Sequence, residues 1–137
     1  MSSAGDGAEP YVLSILVMPG QENTLGVMHG GHMMSWMDMA AWVVATRAVS
    51  PDQTMFFKAV NDCVWTGPVH AGEVCHVEAR VERVGTSSLT VALSARAEDP
   101  VHKVTRDVCR AVFTMVAAED GRAVPVRLHR AELTPGS

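Results

Sequence analysis

An α+β fold, with one antiparallel sheet wrapped around a single long helix, is predicted by three features of the sequence. Residues 31–49 are apolar at nearly every position, with small residues at Ala40, Ala41 and Ala45 beside Trp36 and Trp42. A helix that is apolar around most of its circumference is covered on most sides rather than laid on a surface. After Ser50, Pro51 and Asp52 the hydrophobic period changes to two residues, the mark of half-buried strands. One strand precedes the helix and four follow it, an order that antiparallel pairing can close without further helices.

Each element has its own local signal. Residues 11–17 form a short apolar segment stopped by Pro19 and Gly20, which reads as a first strand and turn. A polar, glycine-containing loop covers residues 21–31. Residues 54–65 are rich in β-branched and aromatic side chains and end at Thr66, Gly67 and Pro68. Cys75, Val77, Ala79 and Val81 alternate with His76, Glu78, Arg80 and Glu82, and Leu89, Val91, Leu93, Ala95 and Ala97 repeat the pattern after a turn at Gly85. Cys109, Ala111, Phe113 and Met115 share one face of the last long strand, and Asp120 with Gly121 marks a turn. The uncovered apolar face of such a sheet needs a partner, and the central helix is the one candidate. A sheet folded around one helix is the hotdog arrangement.

The chain has 137 residues, the size of one domain, so a single unit over residues 1–137 is expected. Its small, polar ends, residues 1–9 and 131–137, are expected to be flexible. A hydrophobic fraction of 47% with 19% charged residues is that of a globular protein. The formal net charge of -4, with no run of Lys or Arg, argues against non-specific nucleic-acid binding. The longest apolar run is too short to span a bilayer and contains Ser35 and Asp38. Cys63, Cys75 and Cys109 are odd in number and scattered, which reads as buried thiols in a reducing cytoplasm and not as a disulfide frame or zinc site. A cytoplasmic location follows, with no membrane and no metal among the expected partners.

Asp38 is the sharpest anomaly, a carboxylate in the middle of an apolar helix. A lone buried charge costs several kcal/mol, on the order of the penalty for an unpaired ion, so the position needs a reason. The second feature is Gly26-Val27-Met28-His29-Gly30-Gly31 at the start of the helix, where consecutive glycines let backbone approach a ligand and unpaired N–H groups can hold a polarised carbonyl oxygen. Asp38 lies seven residues beyond Gly31, about 10 Å along a helix. One chain does not easily bring both to one reacting carbon. Two antiparallel helices about a two-fold axis do, which points to a site shared between Gly31 of one subunit and Asp38 of the other. Asn23 lies in the same loop and could orient water or a carbonyl, or serve only as a turn-former. His29 invites a general-base role, or braces the loop. Serine-hydrolase elbow, P-loop and dinucleotide fingerprints do not occur.

At these residues a family resemblance enters. Asn23-x-x-Gly26-x-x-His29-Gly30-Gly31-x-x-x-Ser35-Trp36-Met37-Asp38 resembles the acyl-CoA thioesterases of the hotdog superfamily, the cytosolic acyl-CoA hydrolase group above all. PVHAGEV at residues 68–74, VGTSSLTV at 84–91 and CRAVFTMVAAEDGRAVPV at 109–126 extend the resemblance over residues 13–126. It implies a hotdog homodimer assembled further into tetramers or hexamers, an aspartate acting as general base or nucleophile, and an asparagine from the other subunit, which fall on Asp38 and Asn23. The aryl and phenylacetyl-CoA thioesterases share the glycine pair and the aspartate, so acyl-group choice is left open. The tail reads Gly121-Arg122-Ala123-Val124-Pro125 in place of the Lys/Arg-Pro pattern usual in the family.

The chemistry expected is acyl-CoA hydrolysis, Asp38 activating water while the helix start and Asn23 polarise the carbonyl; direct attack by Asp38 is the close variant. CoA is part of the substrate, and no separate cofactor is expected. Its phosphates are assigned to Arg83 and the Gly85, Thr86, Ser87 and Ser88 turn, with Arg106, Arg110 and Arg122 as further cations. A non-catalytic acyl-CoA-binding protein and a hydratase using His29 are the competing functions.

Overall fold

In the computed structural model, which describes residues 9–129, an edge strand β1 (Tyr11–Leu16) leads through a loop into the helix α1 (Gly30–Ala48). Strands β2 (Met55–Trp65), β3 (Val74–Val84), β4 (Ser88–Asp99) and β5 (Val104–Glu119) follow, and a two-residue β6 (Arg122–Ala123) folds back on β5. The sheet order is β1-β3-β4-β5-β2, all neighbours antiparallel. The expected α+β hotdog architecture is therefore present, but β2 pairs with β5 rather than with its sequence neighbour β3. The chain crosses the sheet after Trp65, which leaves β2 at one edge and β1 at the other. The expectation of flexible ends at residues 1–9 and 131–137 lies, apart from Glu9, outside the described residues.

The two-residue alternation decides which face meets the helix. Cys75, Val77, Ala79 and Val81 of β3, Leu89, Val91, Leu93, Ala95 and Ala97 of β4, and Cys109, Ala111, Phe113, Met115 and Ala117 of β5 are all buried beneath α1. From the helix come Met33, Trp36, Met37, Ala40, Ala41, Val44 and Ala45. The alanines let the helix axis approach the sheet, and Met33 and Met37 fill the space between; each large side chain so buried contributes roughly 2 kcal/mol. At the C-terminal end of α1, the guanidinium of Arg47 lies 5.1 Å over the Tyr11 ring, tying the helix end to β1.

The helix is not covered all round. Gly31, Ser35, Met39 and Trp42 lie on an exposed stripe, and Trp42 keeps 49% of its surface. Alongside, the edge strand β2 exposes Phe56, Phe57, Val60 and Trp65. A run of large apolar side chains on one edge of an isolated chain marks a surface for contact. The same edge corrects the reading of the thiols: Cys75 and Cys109 are buried, whereas Cys63 on β2 is exposed.

The other end of the molecule is closed by the tail. Gln53 is 7% exposed and clasps it from both sides, its Nε2 donating to the Pro125 carbonyl at 2.7 Å and its Oε1 accepting from the Arg127 N–H at 2.7 Å. Backbone bonds from Ser50 to Arg127 and from His129 to Ala48 continue the seam beneath the helix terminus.

Candidate active site

The loop of residues 21–29 owes its shape to a small number of hydrogen bonds. Asn23 Oδ1 accepts from the N–H groups of Leu25 (2.9 Å) and Val27 (3.1 Å), and Gly26 turns with a positive φ of 75° between them. This is an Asx-type turn. Both bonds use Oδ1, and among the described residues Nδ2 has no partner. The turn-former reading of Asn23 thus holds within the chain, and its amide donor remains for a second role.

Residues outside the sequence motif brace this loop. Met28 N–H donates to the Val69 carbonyl at 2.8 Å, and His70 Nδ1 lies 2.8 Å from the Gly26 carbonyl oxygen. The His70 N–H in turn donates to Glu73 Oε1 at 2.8 Å, and Glu73 is held by Arg106 through contacts of 2.6 and 2.9 Å. Glu73 is 8% exposed, and the Arg106 hydrogen bonds hold its carboxyl below the usual carboxylate range against the opposing effect of burial. Arg106, considered from the sequence as a further cation for CoA phosphates, directs its guanidinium to this clamp and to the Pro68 carbonyl. His70 and Glu73 stand inside PVHAGEV; the sequence signals the segment but not what it touches.

The helix begins at Gly30, with His29 as an N-cap that makes no side-chain cap bond. His32 N–H donates to the His29 carbonyl at 3.2 Å, which leaves the N–H groups of Gly30 and Gly31 for a ligand or water. His29 and Gly31 are exposed, and His29 donates its N–H to the Gln21 carbonyl at 3.1 Å. The ring of Trp65 lies close to Gly30, 3.5 Å from where a Cβ would stand, whereas a Cβ on Gly31 would meet nothing within 4 Å. Among the described residues nothing within 4 Å requires a glycine at position 31.

Asp38 is half-buried, between the exposed stripe and the flank of the helix, and among the described residues its carboxylate has no hydrogen-bond or ion-pair partner. The charge is less enclosed within one chain than the apolar neighbours Met37 and Met39 suggest in sequence.

The turn expected from the sequence to meet CoA phosphates stands elsewhere. Gly85 N–H donates to the Ser88 carbonyl at 2.7 Å, closing the β3–β4 hairpin, and a side chain at Gly85 would press on Ser88 Oγ at 2.8 Å. Arg83 and Thr86 are exposed. Thr86 and Ser87 carbonyls accept from Val126 and Ala117, which fixes the turn at the tail end of the sheet. Strand register separates it from the helix start: Ser88 pairs with Val116, while Trp65, beside Gly30, pairs with Cys109, the partner of Ala95. Seven residues of strand between Ser88 and Ala95 amount to about 20 Å. One chain thus brings Asn23, His29 and Gly31 together, and keeps Arg83 and residues 85–88 at the opposite end.

Other chemistries are disfavoured by position. Burial pushes the Cys75 thiol up to about 11 and the Cys109 thiol to about 12, so neither supplies a thiolate nucleophile at neutral pH. Ser14 Oγ, His76 Nδ1 (2.6 Å) and Glu98 Oε1 on His76 Nε2 (2.7 Å) form a relay in the order of a hydrolase triad, unseen from sequence. It lies on the outer sheet face and staples the edge strand β1 to β3 and β4. Among the described residues there is no group of three or more His, Cys, Asp or Glu arranged to hold a metal ion. Among the described residues no helix is long and apolar enough to cross a membrane.

Residues 25–103 match the thioesterase superfamily, more than half of the chain. The chain belongs to the thioesterase superfamily. Among relatives, protein VdlD of Helicobacter pylori is 29% identical over 115 residues, which are 84% of this chain and 65% of VdlD, so the chain spans just under two thirds of that protein. The hexameric thioesterase y2039 of Yersinia pestis superposes with a TM-score of 0.76 at 28% identity, covering 83% of this chain and 92% of that one. An acyl-CoA hydrolase from Staphylococcus aureus, in complex with butyryl coenzyme A and coenzyme A, superposes with a TM-score of 0.78 at 22% identity over 87% of this chain and 72% of its own, a likeness of fold. Variants of that hydrolase with an aspartate, a threonine or an asparagine replaced by alanine share the same fold.

Proposed function

We propose that this thioesterase-superfamily member hydrolyses acyl-CoA thioesters at a site shared by two copies of the chain, with Asp38 of one copy facing Gly31 and Asn23 of the other. The observation that carries this reading is the exposed stripe of α1, which puts on the face left open to a second molecule a carboxylate and a glycine that, among the described residues, have respectively no partner and no steric reason. A two-fold contact between two such helices, antiparallel, sets each Asp38 toward the other helix's start. It also covers Met39, Trp42, Phe57 and Val60, and withdraws Asp38 from water.

The same arrangement answers the separation found within one chain. The β3–β4 turn lies beside the C-terminal end of α1, so an antiparallel partner carries its Arg83 and Gly85-Thr86-Ser87-Ser88 turn toward the first chain's helix start. There the turn can meet CoA phosphates while the thioester reaches Gly31. Further support comes from the Staphylococcus aureus hydrolase: its asparagine and aspartate chosen for replacement stand fifteen positions apart, the spacing of Asn23 and Asp38. Its replaced threonine follows the aspartate by seventeen positions, which falls on Met55, next to Thr54, exposed immediately before β2 and not singled out from sequence.

In the mechanism, the first-turn N–H groups of α1 receive the oxygen of the polarised carbonyl and stabilise the oxyanion. The Asn23 amide donor orients the carbonyl or the attacking water. Asp38 takes the proton of that water as it adds to the carbonyl carbon, and CoA thiolate leaves without needing a strong acid. No cofactor enters the proposal. Assembly beyond the dimer, as a tetramer or hexamer, accords with the hexameric relative.

Mixing two inactive variants tests the shared site. Asn23→Ala and Asp38→Ala homodimers are each expected to lose activity against an acyl-CoA panel followed by thiol release. Unfolded together and refolded, half the dimers are mixed and hold one intact site of two, so about a quarter of wild-type activity returns. No recovery, with mixed dimers present by mass spectrometry, overturns the shared site; full activity in Asp38→Ala overturns the residue assignment.

A further inference from the structure

The three cysteines are far apart in sequence, but folding gathers two of them with a methionine beneath the second turn of α1. Cys63 Sγ lies 3.9 Å from Met34 Sδ and 4.0 Å from Cys109 Sγ. The three sulfurs come from three elements, α1, β2 and β5, so the cluster is a product of tertiary packing alone. We propose that it is a binding site for a soft monovalent cation, copper(I) being the biological one, held by Cys63, Cys109 and Met34.

The spacing suits an ion better than a disulfide. Three sulfurs in a plane around an ion, each at ~2.3 Å, lie about 4.0 Å from one another, which is the separation found on both sides of Cys63. A disulfide requires the Cα atoms within about 7 Å. Cys63 pairs across the ladder with Ala111, and Cys109 pairs with Trp65, so the two cysteines are diagonal neighbours. Diagonal positions on antiparallel strands stand roughly 7–8 Å apart, at or beyond the disulfide limit. A bridging ion spans the gap without moving the strands.

Ligand chemistry selects the ion. Two thiols and a thioether form an all-sulfur set, which favours copper(I) over zinc, magnesium or calcium. On binding, each thiol releases its proton to solvent and forms a metal–sulfur bond; no electron is transferred. Within a single chain Cys63 is exposed and opens the cluster to incoming ions, while Cys109 and the packed helix give it a dry floor. The ion would tie the second turn of α1 to β2, beside the contact between Trp65 and Gly30.

The test is an anaerobic titration of the assembled protein with copper(I), delivered as its acetonitrile complex in competition with bicinchoninate. One ion per chain is expected, with X-ray absorption showing three sulfur neighbours at ~2.3 Å. Cys63→Ser is expected to weaken binding at least about 100-fold and Met34→Leu about 10-fold, losses at or above those seen when a supporting group is removed from a metal site. Cys75→Ser is expected to leave affinity unchanged. Wild-type affinity in Cys63→Ser, or a two-sulfur spectrum insensitive to Met34→Leu, would overturn the site.

Discussion

His70 Nδ1 reaches the carbonyl oxygen of Gly26 at 2.8 Å and joins two loops separated by 44 positions in the chain. Through this bond the turn that presents Asn23 and the helix start is held by the β2–β3 loop, which Glu73 and Arg106 anchor to β5. The position of the candidate oxyanion donors therefore depends on a side chain that need not touch substrate.

Removing that brace is expected to cost about 1 kcal/mol of stability, the usual net value of one hydrogen bond. For His70→Ala, kcat is expected to fall more than KM rises, because the loop's amides and not the CoA contacts are displaced. Steady-state kinetics with a chromogenic thiol reagent and a urea melt read both effects.

Asp38→Asn is expected to lower kcat by about 10³-fold, within the range for loss of a general base, while the fold is retained. Isotopic oxygen from labelled water and hydroxylamine trapping together separate the two chemical variants. A carboxylate labelled after single turnover identifies direct attack with water adding to the aspartyl carbonyl of the mixed anhydride; with an unlabelled carboxylate, hydroxylamine trapping of the anhydride separates water attack on its acyl carbon from general-base catalysis.

At position 31 a Cβ meets nothing within 4 Å among the described residues. Gly31→Val is therefore expected to fold with a Tm close to wild type and to lose on the order of 100-fold in kcat/KM, as its methyls occupy the place of the thioester carbonyl. Differential scanning calorimetry beside the thiol-release assay checks the dissociation of stability from activity.

Trp42 and Val60 carry the opposite kind of test. Charges at both, as Trp42→Glu with Val60→Glu, are expected to convert the dimer to monomer in sedimentation velocity and to abolish activity together, since the site is proposed to need both copies.

The Glu73 and Arg106 pair predicts a pH signature. Because the folded carboxyl titrates below its ordinary value of 4.5, the pair contributes stability that is fully present above that pH and is lost as pH falls through the lowered value. Arg106→Leu is expected to cost on the order of 2 kcal/mol at pH 7, with the gap to wild type closing as pH falls below 4.5 and through the lowered value. Urea unfolding at several pH values measures the convergence.

Much of this protein was legible in its residues. The period change after Pro51, the alternation through β3 and β4 and the apolar run of α1 were enough for an α+β hotdog, because side-chain periodicity is a local consequence of backbone geometry. The spacing of Gly31 and Asp38 was enough to ask for two copies, since helix rise is constant. Tertiary structure decided the rest. It moved β2 across the sheet to pair with β5, placed His70 on Gly26, exposed Cys63 while bringing it to Cys109 and Met34, and engaged Arg106 with Glu73. It also set the Ser88 turn at the far end of the sheet from Gly31. Each is a contact between residues distant in sequence, fixed by which strands pair and in what register, and no local pattern encodes that choice.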